Sequence, residues 1–172
     1  YRPGDILHTL NGKTIEIIST DAEGRLVLAD ALTYTSRLGV DAMIDLATLT
    51  GASVVALGDQ GTSVFSSDDG LAGEILDAAR WNAELMWHMP LWDEYRGLLK
   101  GSYADLRNSG GRPGGAIFAA MFLHEFIEGT PWAHLDIAGP AWNTKETELA
   151  PAGASGHGVR TLLTLLLNQA MN

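Results

Sequence analysis

Thr20-Asp21-Ala22-Glu23-Gly24-Arg25-Leu26 is the stretch on which the reading of this chain turns. Asp21 and Glu23 stand two positions apart, a spacing that puts both carboxylates on one face of an extended segment and splays them apart on a helix. Just beyond, Leu26, Ala29, Leu32 and Thr33 recur at helical spacing, which predicts a helix over residues 25–38 with Gly39 as its cap. A strand or loop therefore delivers two acids to one point, and a helix starts beside them. Two hard oxygen donors on one face suit a divalent cation. The same pair also suits a solvated loop, because acids are favourable at a helix N-terminus. Arg25 is set against that preference, in a first turn whose macrodipole favours anions. An anion held between its guanidinium and metal-bearing acids would give it a reason to be there.

Upstream, the runs 6–10 and 14–18 flank Asn11-Gly12, the strongest short hairpin signal. Gly12-Lys13-Thr14 is not a phosphate loop, since Leu7 stands where the motif needs its first glycine. Downstream, residues 42–46 form a short, mostly apolar run that empties into Thr48-Leu49-Thr50-Gly51, and 54–57 and 62–65 are further strand candidates. Asp68 or Asp69 caps a helix expected over 71–87, with Ala72, Ile75, Leu76, Ala79 and Ala83 as its buried stripe. A short helix is expected over 91–99. Residues 102–115, rich in polar side chains and glycine, read as a connector or as an anion-holding loop before a helix over 116–128. A strand over 132–137, a loop over 139–158 and a buried apolar helix over 159–170 complete the chain. Strands alternating with helices predict an α/β fold, a mainly parallel or mixed sheet sandwiched between helices.

At 172 residues the chain can bury a sizeable core. Its net charge of −10 argues against a nucleic-acid surface, which needs clustered Lys and Arg. The absence of cysteine excludes disulfides and thiolate zinc sites. No signal-peptide pattern opens the chain and no apolar run is long enough to span a bilayer, so a cytoplasmic location away from membranes is expected.

Other candidates are weaker. His134 and Asp136 share one face of their strand, a spacing that serves a metal or a hydrogen-bonded structural pair. His124-Glu125 fails as a zincin motif because Glu128 replaces the second histidine. The five tryptophans are core or interface anchors rather than a base-stacking platform, which would need positive charge around it. Thr48 to Gly51 follow a buried strand, and α/β folds build their sites at the carboxyl ends of strands.

The stretch from Thr20 to Leu26 resembles the signature of the leucyl (cytosol) aminopeptidases, two-metal exopeptidases with a zinc-exopeptidase-like fold. The likeness continues in order through Pro3-Gly4-Asp5, Gly12-Lys13-Thr14, Ala29-Asp30-Ala31-Leu32, the 47–52 segment and Trp132-Ala133-His134-Leu135-Asp136-Ile137-Ala138-Gly139. One departure is Ser19, where the family has asparagine. The resemblance implies that Asp21 and Glu23 are metal ligands, with Glu23 bridging two divalent ions, manganese or zinc. It places Arg25 in the catalytic role of holding bicarbonate, neither a ligand nor a packing residue. It puts the Leu49 backbone near the transition state, and gives Thr48, Gly51, Ala138 and Ala141 to the pocket for a leucine-like first side chain. His134 and Asp136 become structural. The implied partners are peptide substrates and further copies of the protein, assembled as a hexamer.

The chain opens Tyr1-Arg2-Pro3-Gly4, inside what reads as a folded region. Residues 1–172 are therefore expected to be the C-terminal part of a catalytic domain. By the resemblance, an N-terminal domain and the first part of the catalytic domain precede it, with the remaining ligands and a catalytic lysine. A non-catalytic scaffold with an incomplete metal site is the alternative. A metal-dependent phosphatase would require histidines beside the acids, and there are none.

Overall fold

The computed structural model describes residues 1–146 and 151–171 of the chain. The elements run β1 (Ile6–His8), β2 (Thr14–Glu16), α1 (Gly24–Ser36), β3 (Met43–Ala47), α2 (Gly51–Leu57), β4 (Thr62–Ser66), α3 (Asp69–Trp81) and β5 (Met86–His88). After a 3-10 helix over Asp93–Leu99 come β6 (Leu106–Arg107), α4 (Gly115–His124), β7 (Trp132–Asp136), β8 (Trp142–Asn143), β9 (Gly153–Ala154) and α5 (Val159–Met171). The fold is mixed α/β, as the alternation predicts. It divides into two compact units, Tyr1–Ile44 with Pro90–Trp132 and Asp45–Met89 with Ala133–Asn172.

In the first unit, β1 and β2 form the expected antiparallel hairpin, with Gly12 at φ 88° in the turn between them. β6 adds to β2 in parallel, Ile15 opposite Leu106 and Glu16 opposite Arg107. Ile15 and Ile17 point into the core, while α1 contributes Ala29, Leu32 and Thr33. α4 is apolar all round, and from Phe118 to Leu123 every residue is buried, as such a helix requires.

The second unit is built around a sheet ordered β3-β7-β4-β5. β4 runs antiparallel to β7, with Val64 opposite Leu135, and parallel to β5, with Thr62 opposite Met86. The sheet is thus mixed. α3 packs Ala72, Ile75, Ala78 and Ala79 inward, and Asp68 caps it by accepting from the Leu71 N–H at 2.8 Å.

Several boundaries differ from expectation. Residues 54–57 belong to helix α2, because Thr50 caps a turn that their apolar run then continues; short apolar runs do not distinguish strand from helix. The helix expected to reach residue 87 stops at Trp81. Asn82 turns its amide back onto the Ala78 carbonyl at 2.8 Å and Ala83 takes φ 53°, which ends the helix and leaves Ala83 exposed. The segment 139–158, expected as loop, carries the β8–β9 pair; its residues 147–150 lie outside the described residues. α5 is less buried than its composition implies. Thr161 and Leu165 are buried, whereas Leu163, Leu166 and Leu167 are more than half exposed. No helix among the described residues is long and apolar enough to cross a membrane.

Candidate active-site elements

The acidic pair sits between the end of β2 and the start of α1, both carboxylates exposed. Neither forms a hydrogen bond or ion pair with another described residue. Glu23 occupies the N-cap position in helical backbone conformation without capping the helix through its side chain. Its carboxylate oxygens are therefore not spent on the helix.

What fixes this loop comes from residues 102–115. Glu16, buried at the end of β2, accepts from the Ser102 N–H at 2.7 Å and the Tyr103 N–H at 3.3 Å. Thr14 gives its N–H and hydroxyl to Asp105 at 2.8 and 2.7 Å, which holds the Asp105 carboxyl below its ordinary range. Asn108 then meets the loop itself. Its side-chain oxygen accepts from the N–H of Ile18 at 2.8 Å and of Ser19 at 3.1 Å. Its amide donates to the carbonyls of Ser19 at 2.6 Å and Ala22 at 3.4 Å. Gly110 is pressed so closely on Phe118 that a Cβ there would come within 2.3 Å of the ring. The segment is stitched to its surroundings over much of its length. A loose connector is the wrong description.

Arg25 is 8% exposed. One guanidinium nitrogen donates to the Asn108 carbonyl at 2.8 Å, and the group lies over the Phe118 ring, 5.7 Å from its centre. It is buried because the first turn of α1 is covered by the 102–115 segment rather than open to water.

The second unit gathers the other candidates on two turns. Thr48 and Gly51 are exposed and Leu49 half-buried, on the turn from β3 to α2. Ala138 and Ala141, both half-buried, lie on the turn after β7. Asp136, 1% exposed, joins the two turns. It accepts from the Leu49 N–H at 3.1 Å, the Ala138 N–H at 3.2 Å and the Thr50 hydroxyl at 2.6 Å. Thr50 in turn accepts from the Ser53 N–H at 3.0 Å and so caps α2. His134 binds Asp45 at 2.6 Å through Nδ1 and stacks on Phe65. The structural reading of His134 and Asp136 accounts for these bonds.

In donor chemistry the acidic pair fits a divalent cation: two hard carboxylates, engaged by no other described residue, on a loop held by buried groups. Among the described residues, no three His, Asp or Glu side chains come together as a metal cluster. Sequence reasoning missed Asn108. The only available signal was its place in a polar, glycine-rich stretch, which does not single out one side chain.

These elements make a mixed α/β protein, with an acidic loop before a helix in one unit and small residues after a sheet strand in the other. The profile of the cytosol aminopeptidase family, catalytic domain, matches residues 1–163, and the chain belongs to that family. It is 56% identical over 167 residues to a probable cytosol aminopeptidase of Trichormus variabilis, and 54% identical over 166 residues to one of Syntrophotalea carbinolica. These matches cover 97% and 96% of this chain, which spans only 34% and 33% of those relatives. Among solved structures, a tomato leucine aminopeptidase mutant aligns with a TM-score of 0.92 at 47% identity, covering 98% of this chain and 32% of that one. The bottromycin maturation enzyme BotP aligns at 0.96 with 43% identity, covering 99% of this chain and 38% of its own.

Proposed function

We propose that this chain forms the carboxylate-bearing part of a metal-dependent aminopeptidase catalytic domain, releasing N-terminal residues, leucine-like ones preferred, from peptides. The observation that carries the reading is the acidic loop: two exposed carboxylates that no other described residue engages, on a backbone held by buried Asn108, whose carbonyl also receives the buried Arg25. Family membership supports it. Asp21 and Glu23 would hold divalent ions, zinc or manganese, with Glu23 shared between two of them. Such ions, when bound, polarise the scissile carbonyl and lower the pKa of the attacking water. Arg25 is assigned to an anion, bicarbonate by the resemblance, near the reacting water. Asp136 keeps the Leu49 backbone and the Ala138 turn in register, so that Thr48, Leu49, Gly51, Ala138 and Ala141 receive the substrate's first residue. The small side chains at 138 and 141 leave room for a leucine-sized group. The proposal extends to a cytoplasmic homo-oligomer, a hexamer in the resembling family.

The test uses the full-length protein that carries this chain. Glu23→Ala should lose more metal and more leucine p-nitroanilide turnover than Asp21→Ala, because a shared ligand serves both ions. Near-normal metal content in both purified variants, by elemental analysis, would return the acids to the status of a solvated loop.

A further inference from the structure

Asn108 is fully buried, and its hydrogen-bonding groups are aimed at the segment that carries the acids. A carboxamide offers two acceptor positions and two donors. Here the acceptor positions take the N–H groups of Ile18 and Ser19, and the donors reach the carbonyls of Ser19 and Ala22. These contacts bracket the approach to Asp21 and end one residue before Glu23. The backbone of Asn108 is anchored independently, its N–H on the Glu16 carbonyl at 3.1 Å at the end of β2. Its carbonyl receives Arg25 at 2.8 Å. One residue thus ties together the strand before the acids, the loop that bears them and the arginine after them.

We propose that Asn108 is the positioning residue of the acidic loop, setting the backbone from which Asp21 and Glu23 present their carboxylates to a divalent cation. The inference rests on the metal-binding reading above. Its physical basis is that a cation gains most from ligands already held in place, since ordering a free loop on binding weakens the complex. Exposed carboxylates cannot hold themselves in position. The fixed part must be the backbone, and the bonds to Asn108 fix it. Asparagine suits the place by more than shape. Aspartate would keep the acceptor side but set an oxygen against the carbonyls of Ser19 and Ala22, and would add a negative charge near the acids. Alanine would leave the N–H groups of Ile18 and Ser19 and the carbonyls of Ser19 and Ala22 without this partner.

The experiment measures Mn²⁺ binding to the metal-stripped full-length protein by titration calorimetry, alongside thermal unfolding without metal. Asn108→Ala is expected to weaken Mn²⁺ binding about 10–100-fold, the range typical when a group that orients metal ligands is removed. Turnover should recover substantially at saturating Mn²⁺. Phe122→Leu, which thins the same unit's core and touches no hydrogen bond of the loop, is the comparison for lost stability alone. It should bind Mn²⁺ with wild-type affinity in its folded fraction. If Asn108→Ala does not fold, Asn108→Asp carries the same measurement, with weakened binding again expected. Wild-type Mn²⁺ affinity in the folded Asn108 variant, within about twofold, would overturn the positioning role. Glu23→Ala separates the two failures. If it too binds Mn²⁺ normally, the metal reading itself is wrong. If it loses Mn²⁺ while the Asn108 variant does not, only the present inference falls.

Discussion

In the first unit the acidic loop meets Asn108 with both kinds of backbone group, N–H from Ile18 and Ser19 and carbonyls from Ser19 and Ala22. In the second unit the turns meet Asp136 with donors alone, the N–H groups of Leu49 and Ala138 and the Thr50 hydroxyl. The chemistry of each holder follows from that difference. A carboxamide both gives and takes, whereas a carboxylate only takes, and takes more strongly for its charge. Near the proposed cation ligands the holder is neutral, so negative charge is reserved for Asp21 and Glu23. Where no cation is assigned, a buried carboxylate is tolerable because three donors surround it. The two regions solve one problem, fixing exposed groups through a buried polar hub, under different electrostatic constraints.

The largest effect is expected at Arg25, which belongs to the first region but offers a guanidinium rather than a carboxylate. Arg25→Ala should lower kcat about 10²–10⁴-fold if it serves proton transfer through a held anion. Its burial adds a second consequence. Losing the bond to the Asn108 carbonyl and the contact with Phe118 should cost about 2 kcal/mol of stability. Arg25→Lys should restore little of either, since lysine lacks the planar fork. The check is kcat per folded molecule, measured well below both melting temperatures, with and without bicarbonate. If the deficit disappears once only folded enzyme is counted, Arg25 is a structural residue and the first region loses its anion.

Next in size is the exchange of the two hubs. Asp136→Ala leaves the buried Thr50 hydroxyl and the half-buried N–H groups of Leu49 and Ala138 without their acceptor and should cost about 3 kcal/mol. Asp136→Asn should cost less, about 1 kcal/mol, because one oxygen still serves Leu49 and Ala138 while the Thr50 hydroxyl can rotate. The reciprocal change, Asn108→Asp, should be the more damaging of the two swaps, having carbonyl oxygens that cannot rotate away. Urea midpoints of the full-length variants would rank them. Equal losses from both swaps would erase the distinction drawn between the hubs.

Much of this was legible in the sequence for a definite reason. Asn11-Gly12, Asp68 and the Leu26–Ala29–Leu32 spacing act locally, and each produced its turn, cap or helix. Asp21, Glu23 and Arg25 fall within five positions, so a short stretch sufficed to single them out. The holders are different. Asn108 acts across some ninety positions of chain on Ser19, and Asp136 across a similar distance on Leu49. No local period records such a bond. The overestimated burial of α5 has a related cause: its composition is apolar on nearly every turn, but burial depends on which faces meet a neighbour, and Leu163 and Leu166 stay more than half exposed. Residues 54–57 were misread because four apolar residues carry too little period to choose between strand and helix.

The smallest expected effect lies at a third buried polar hub, Glu84 in the second unit, which tests whether carboxylate hubs share a pH signature. Burial pushes its carboxyl up, but bonds from the Thr161 hydroxyl and from the N–H groups of Gly158 and Thr161 outweigh that, and the group ends below its ordinary range. Thr161 and Gly158 lie at the start of α5, so the carboxylate holds that helix end. His157 and Arg160 also face it; the His157 imidazole is itself pushed down, by burial first. A carboxyl lowered in the folded state contributes stability that is complete above its unfolded value and is lost as pH falls through the folded one. Glu84→Gln should therefore be less stable than wild type at pH 7, and the gap should close as the pH falls below the ordinary carboxyl range and wild-type Glu84 takes up its proton. Scanning calorimetry from pH 7 downward reads it directly. A gap that stays constant with pH would mean that Glu84 acts through shape alone, and that the charge of a buried carboxylate hub does not contribute to holding its turn.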